Sequence, residues 1–431
     1  MSESHPGNKR RYPRPWIIPP GLLMLNEPYE GFNVLDETRS ELGVLLWQSL
    51  RDVDLWASTR PEARAALFSP GSLRRRTERI EAEVPVEHSA RALLEAIARL
   101  LAAPDRVSEL EVSDVCQEVS RWASDEGMPR TALAYAQRAA MALPEEAGPA
   151  YLVGLVSRRA ADYRRAETWF RRALALGRRN RDWRYYALAH LGLANLHMQR
   201  GDAPRARVRL LRALRASRRY GLWSVRSMVL HDLFCITATG EHAEHAEMYA
   251  RAAFRSYGRR HPRLPMLAHD IARFWMSRGH HARAFQTFRA VLPHLTRLSD
   301  RLLAWANLAQ AAGGAGDEDA FTEAWSRVWR MIDTGTDLER AAEALINVAS
   351  GAQSLGQWVR QEMASSYALT VAKRRSEAQQ RLKAEELLES ARRAGMGRHE
   401  PDPAEPPPEF SSKSGDLAEA LVAALTETMD T

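Results

Sequence analysis

Lysine is almost missing from this chain. Only Lys9, Lys373, Lys383 and Lys413 are present, so 57 of the 61 basic residues are arginine. A GC-rich coding bias yields that preference together with abundant alanine, so the choice of arginine over lysine carries little functional weight. Cysteine is equally scarce, with Cys116 and Cys235 far apart in sequence. Two such residues imply no disulfide framework and read as small buried thiols in a reducing cytosol. Residues that favour strands are sparse, and alanine, leucine and arginine favour helices, which excludes a β-rich fold. No run approaches the ~20 apolar residues needed to cross a bilayer. The stretch Trp16–Leu25 follows Lys9, Arg10, Arg11 and Arg14 in the manner of a signal peptide. Prolines at 19 and 20 interrupt it and no small-residue cleavage site follows, so export is not expected and a cytoplasmic location is. Phosphate-binding loops, nucleophile elbows and nucleophile–base pairings are missing as well. The expectation is a protein without catalytic residues, cofactor or metal. His242 with His245, and His280 with His281, lack the further ligands that would complete a metal site and read as surface histidines.

Proline is missing from the middle and crowded at the ends. Six of the 22 prolines fall in residues 1–35 and five in 396–431. Residues 1–35 read as a basic, Pro-rich arm and 395–415 as a Pro-rich acidic linker. Residues 416–431 read as a short amphipathic helix with Leu417, Leu421 and Leu425 on one stripe. It is too short to be stable alone and asks for a partner surface, with self-association one option. Between these ends, residues 36–105 suggest a helical cap. Asp36 is placed as the N-cap of a helix carrying Leu42, Leu45, Leu46, Leu50, Val53 and Trp56. A short helix then ends at Leu67–Phe68, closed by Pro70–Gly71, and another runs from Glu87 to Leu101.

Residues 106–394 hold a recurring phrase. Ala132, Ala136 and Ala139 share their spacing with Ala166, Phe170 and Ala173, and with Ala206, Leu210 and Ala213. Ala246, Ala250 and Ala253 follow, then Ala284, Phe288 and Val291. The opening alanines are separated by 34, 40, 40 and 38 residues. Small residues at helical spacing let a neighbouring helix approach closely, and a period of this length means stacked helical hairpins. A first helix precedes each phrase, with Ser120, Gly154, Ala194, Phe234 or Ala272 about twelve positions upstream. Turns fall at Gly127, Gly201, Gly240 and Gly279. Two further pairs run from Trp305 to Trp325 and from Leu345, through Gly356, past Tyr367.

A small residue in the first helix, a turn glycine, then Ala, aromatic and Ala in the second resembles the tetratricopeptide repeat. Residues 148–181 carry the likeness best, through Gly154, Ala166, Phe170 and Ala173, and the resemblance covers about 108–395. The long, irregular repeats are more similar to the helical sensor regions of bacterial transcription regulators than to chaperone adaptors. The resemblance implies an all-α, right-handed α-solenoid of about seven repeats. It also implies a concave face of first helices that binds an extended peptide or partner protein. Matching the register gives Gln117, Arg121, Tyr151, Arg158, Asn195, His231, His269, Arg273, Asn307 and Gln310 as groove candidates.

Charge supplies an alternative. Between Arg158 and Arg226, 19 arginines face four acids, a net +15 over 69 residues, while the whole chain is +7. Helical steps of 100° place Arg205, Arg209, Arg212, Arg215 and Arg219 on one side of a second helix, a convex ridge suited to an acidic protein or a nucleic acid. Residues 396–431 carry a net −6 and could gate that ridge or the groove. No groove-reading DNA motif accompanies the arginines.

Overall fold

The computed structural model describes residues 31–239, 243–334, 340–375, 377–396 and 413–427. The arm expected before residue 31, most of the acidic linker, and the positions of Gly240 and His242 lie outside these residues. Every described element is a helix, and the chain divides into two compact units, Met1–Val229 and Leu230–Thr431.

The first unit opens with α1 (Gly31–Glu37), α2 (Glu41–Ser58), α3 (Pro70–Glu83) and α4 (Ser89–Leu101). Three of the expectations here need correcting. Asp36 lies inside α1, and Ser40 is the N-cap of α2. The segment Pro61–Ala66 is a short 3₁₀ turn. Pro70 begins a helix where it was read as an end. Its missing N–H costs nothing in the first turn, and the Ser69 side chain caps that turn by accepting from the Ser72 N–H. Leu45, Leu46, Leu50, Val53 and Trp56 are buried against α4 and the hairpin that follows. Trp56 donates its indole N–H to the Pro104 carbonyl at 2.8 Å, and the Arg64 guanidinium covers its ring at 3.8 Å.

That hairpin is α5 (Glu109–Asp125) with α6 (Pro129–Ala142), and it is followed by α7 (Ala147–Arg159) with α8 (Tyr163–Arg179) and α9 (Trp183–Gln199) with α10 (Ala203–Arg219). A reciprocal capping box between Ser108 and Glu111 starts α5. The Glu37 carboxylate accepts the Arg130 and Thr131 N–H groups at 2.9 and 2.8 Å and so caps α6 from outside. Ala132, Ala166 and Ala206 are fully buried, and the Ser120 hydroxyl donates to the Ala132 carbonyl at 2.8 Å. Phe170 fits because two glycines face it: a methyl group on Gly154 would lie 2.6 Å from its ring, and one on Gly192 2.5 Å. Adding either methyl overpacks the core at about 1–3 kcal/mol.

The turns keep a strict beat of 20 residues. Ala161, Arg181, Gly201 and Gly221 all have positive φ, and Asp162, Asp182 and Asp202 each cap the helix that follows through a side-chain bond to the N–H three residues on. The helices α8, α9 and α10 are therefore each 17 residues long, which a search for one 34-residue unit does not reveal.

The division between the units falls inside α11 (Trp223–Ala238). The second unit continues with α12 (Ala243–Tyr257), α13 (Leu264–Ser277), α14 (His281–Val291), α15 (Leu298–Ala315), α16 (Glu318–Thr334), α17 (Ala341–Ser354), α18 (Trp358–Arg374), α19 (Ala378–Gly395) and α20 (Lys413–Glu427). Ala246, Ala284 and Phe288 are fully buried. The first helices α15 and α17 touch backbone to backbone, since a Cβ on Gly313 would lie 2.3 Å from the Gly351 carbonyl oxygen. Trp325 is buried in the core and meets the half-buried Trp329 at 5.7 Å, whose ring in turn meets the exposed Tyr367 at 5.5 Å. The leucine stripe of α20 was expected to need a partner or a second copy. Leu417, Leu421 and Leu425 are instead buried on α12, α13 and α14 of the same unit. His294 donates its Nε2–H to the Leu425 carbonyl at 2.9 Å, and Arg259 pairs with Glu427.

Candidate functional site

Three places gather polar side chains, and they treat them differently. The first is a cavity of about 330 Å³ on the face formed by the first helices α5, α7 and α9. Gln117, Arg121 and Tyr151 line it, joined by Arg159, Arg184 and Tyr185, which the register argument missed. Gln117 is nearly buried and accepts from Arg121 at 3.1 Å, and Arg159 donates to Ser124 at 2.7 Å. The rings of Tyr151 and Tyr185 meet at 5.8 Å, and the Arg184 guanidinium lies over Tyr185 at 5.4 Å. Gly148 makes room, because a Cβ there would come within 2.9 Å of the Tyr185 ring. Three arginines against Asp125 leave the rim positive, while Leu152, Leu155 and Leu188 make part of the wall apolar. Arg158 and Asn195 are half-buried and do not line this cavity.

The second place is a cavity of about 470 Å³ where the end of α8, the start of α9 and the last half of α10 meet. Arg178, Arg212, Arg215 and Arg219 line it with Trp183, Tyr186 and Tyr220. Trp183 and Tyr220 stack in parallel, 4.4 Å apart with 1° between their planes, and Tyr186 meets Trp183 edge-on. The expected ridge is thus not uniform. Arg205 is 77% exposed and pairs with Asp202, whereas Arg209 is half-buried beside Arg171 and Arg212. Burial, reinforced by Arg209 and Arg212, pushes the His190 imidazole down to about 3 and keeps it neutral.

The third place is a ladder in the second unit. The Asn347 amide donates to the Asn307 oxygen at 2.7 Å, and the Asn307 amide faces His269 Nε2 at 2.9 Å. His269 Nδ1 lies 3.5 Å from one Asp270 oxygen, and His231 Nε2 lies 2.9 Å from the other. The chain of donors runs one way, toward the carboxylate. Burial pushes the Asp270 carboxyl up, but the hydrogen bonds and charge of His231 and His269 outweigh it and hold it well below the usual carboxylate range. His231, His269 and Asn307 were expected to face a peptide. Asn307 is fully buried and His231 nearly so, because successive first helices bring the same register position into contact. Arg273 pairs with Glu343 at 3.6 Å, and Gln310 is half-buried. Asp270, beside His269 in sequence, was the missed signal.

His231, Cys235 and Asp270 bring a nitrogen, a sulfur and an oxygen within 4.8 Å of one another, the group among the described residues that could hold a metal ion. In this arrangement the carboxylate is already satisfied by N–H donors. Burial and the Asp270 charge push the Cys235 thiol well up, and burial takes Cys116 up to about 12, so both stay protonated and weakly nucleophilic at neutral pH. No described helix is long and apolar enough to cross a membrane.

No family model matches the sequence, and no curated protein matches it. Among solved structures the chain is similar to a Rap protein complexed with competence and sporulation factor, at 12% identity over 78% of this chain and 99% of that one, with a TM-score of 0.48. It is also similar to PilF of Pseudomonas aeruginosa, at 18% identity over 53% and 95%, TM-score 0.40. A third is the TPR2AB domain of yeast Sti1 in complex with an HSP90 peptide, at 12% identity over 65% and 98%, TM-score 0.25. By its own hairpins, buried alanine phrases and glycine-to-aromatic contacts, the chain is a tetratricopeptide-like, all-α array of helical hairpins.

Proposed function

We propose that this protein is a non-catalytic binding module whose first-helix cavity, bounded by Gln117, Arg121, Tyr151, Arg159, Arg184 and Tyr185, receives an acidic segment of a partner protein. The observation that carries this reading is the combination of three arginines with an apolar wall on one face of three consecutive hairpins. An extended acidic segment with an aliphatic side chain satisfies both: carboxylates meet guanidinium forks and the aliphatic group enters between Tyr151 and Leu155. An extended polyanion track along α10 is disfavoured, because Arg205 is spent on Asp202 and Arg209 is half sunk.

Fluorescence anisotropy with a labelled peptide of alternating Glu and Leu tests the reading, with a Lys–Leu peptide of equal length as the comparison. The Glu–Leu peptide binds at least tenfold more tightly, and Arg184→Glu removes that preference while Arg205→Gln leaves it intact. Equal affinity for both peptides, or indifference to Arg184→Glu, would overturn it.

A further inference from the structure

We propose that the arginine-and-aromatic cavity between α8, α9 and α10 is a binding site for a small aromatic phosphate, a free nucleotide, held by Arg212 and Arg215 through its phosphates and by the Trp183–Tyr220 pair through its base. The proposal does not depend on the peptide reading, which concerns a different cavity of the same unit.

Arginine at a helix end has an ordinary explanation, since a cation there complements the C-terminal dipole, and Arg178 and Arg219 lie in the last turns of α8 and α10. Arg212 and Arg215 sit in mid-helix, where that explanation fails. They point with Arg219 along one face of α10 into the cavity, no carboxylate lines it, and neither has an ion-pair or hydrogen-bond partner among the described residues. Two like charges one turn apart, Arg212 and Arg215, repel each other, and an anion between them removes that cost. The positive field reaches inward, for burial together with Arg209 and Arg212 keeps His190 neutral. Guanidinium forks match phosphoryl oxygens in bidentate fashion.

The aromatic lining narrows the ligand class. Trp183 and Tyr220 are already parallel and both border the cavity, so a planar base adds to an ordered stack without first ordering two side chains. Tyr186, which lines the same cavity, contributes a hydroxyl suited to a ribose or phosphate oxygen. A cavity of about 470 Å³ lies within the range of small-ligand pockets, roughly 300–1,000 Å³.

Isothermal titration of the full chain with ATP, pyrophosphate and adenosine tests the assignment, using Arg212→Gln/Arg215→Gln and, as a charge-matched control on the same helix, Arg207→Gln/Arg218→Gln. ATP binds saturably, the cavity pair of substitutions weakens it at least tenfold, and the control pair changes it less than twofold. Trp183→Leu weakens ATP several-fold and leaves pyrophosphate unchanged. Unaltered far-UV circular dichroism shows that each variant is folded. Three results overturn the proposal: no saturable ATP binding up to about 1 mM, equal losses in the two arginine pairs, or a 5′-phosphorylated oligonucleotide that binds more tightly than ATP and depends on Arg207 and Arg218. The last would mark a polyanion surface instead of a pocket.

Discussion

The two units use one helical scaffold for opposite electrostatic ends. In the first, arginines meet around cavities with few acids, and the buried histidine, His190, is kept neutral among them. In the second, the corresponding inner positions hold a ladder of asparagine, histidine and aspartate whose donors satisfy one another and finish on Asp270. The ladder arises from residues that recur at about the repeat length on first helices, His269, Asn307 and Asn347, whereas the arginines gather from both first and second helices. Their chemistry then decides whether the meeting is open to a ligand or closed on itself. An Arg–Arg encounter cannot be satisfied within the chain, whereas an Asn–His–Asp encounter can. The difference teaches that groove register alone does not define a binding site in such arrays. The inner residues must also be left unsatisfied by their neighbours.

The largest effect should come from breaking the closed side. Asn307→Leu keeps the branched shape but leaves the Asn347 amide and His269 Nε2 without their partner at a fully buried position. The expected cost is about 2–3 kcal/mol. Asn195→Leu, at a half-buried position of the first unit, should cost less than about 0.5 kcal/mol. Arrays of this kind open in parts, so amide hydrogen exchange resolved to α9 for Asn195→Leu and to α13, α15 and α17 for Asn307→Leu is the appropriate measurement. Similar losses for the two variants would erase the contrast between a satisfied ladder and an open face.

Much of this comparison could be read from residues in order, and the failures have physical causes. The alanine phrase identified positions that pack, and Ala132, Ala166, Ala206, Ala246 and Ala284 are all fully buried. Gly154 was legible as a small residue, but its reason, the Phe170 ring pressed against it, needed the partner helix, and Gly192 on the ring's other contact was missed. At the cavities, register brought out Gln117 and Arg121 on α5 and Tyr151 on α7, which line one cavity. Arg184 and Tyr185 escaped it, because they enter from the first turn of the next hairpin, where the turn sets the direction. Trp183 and Tyr186 escaped for the same reason, and Tyr220 because it closes α10 at its C-cap. Pro70 was misread because proline both ends a preceding helix and begins a following one, and only the Ser69 cap decides between the two.

A smaller effect separates the histidines of the two units. With a folded pKa near 3 against an ordinary 6.5, His190 refuses a proton that the unfolded chain accepts. Its contribution is complete above pH 6.5 and declines as pH falls toward the folded value, by about 2 kcal/mol between pH 6.5 and pH 5. Asp270 has a depressed folded pKa as well, so its contribution is present above the ordinary carboxylate range and is lost at lower pH than that of His190. His190→Leu should therefore flatten the stability profile of the first unit between pH 5 and pH 6.5 and leave the second unit's profile unchanged. Hydrogen exchange at the two pH values, corrected for intrinsic rates, reads both units in one sample. A slope that survives His190→Leu would mean that a group other than this buried imidazole sets the profile.

The smallest expected effect concerns the turns that set the 20-residue beat of the first unit. Gly201 and Gly221 adopt positive φ at no steric cost, but Ala161 and Arg181 hold the same left-handed conformation with a Cβ, at roughly 1–2 kcal/mol. Arg181→Gly removes that strain but also enlarges the unfolded ensemble, which offsets about 0.4–1 kcal/mol. The net gain should be no more than about 1 kcal/mol, and Gly201→Ala should lose a comparable amount by the reverse argument. Chemical denaturation followed by circular dichroism measures both. If Arg181→Gly instead destabilises the unit, the side chain of Arg181 supplies something beyond its backbone shape. The natural candidate is the charge it adds next to Trp183 at the start of α9, where the arginine-lined cavity begins. In that case the strained turn belongs to the arginine-lined cavity of the first unit, and the glycine turns, which carry no charge, do not.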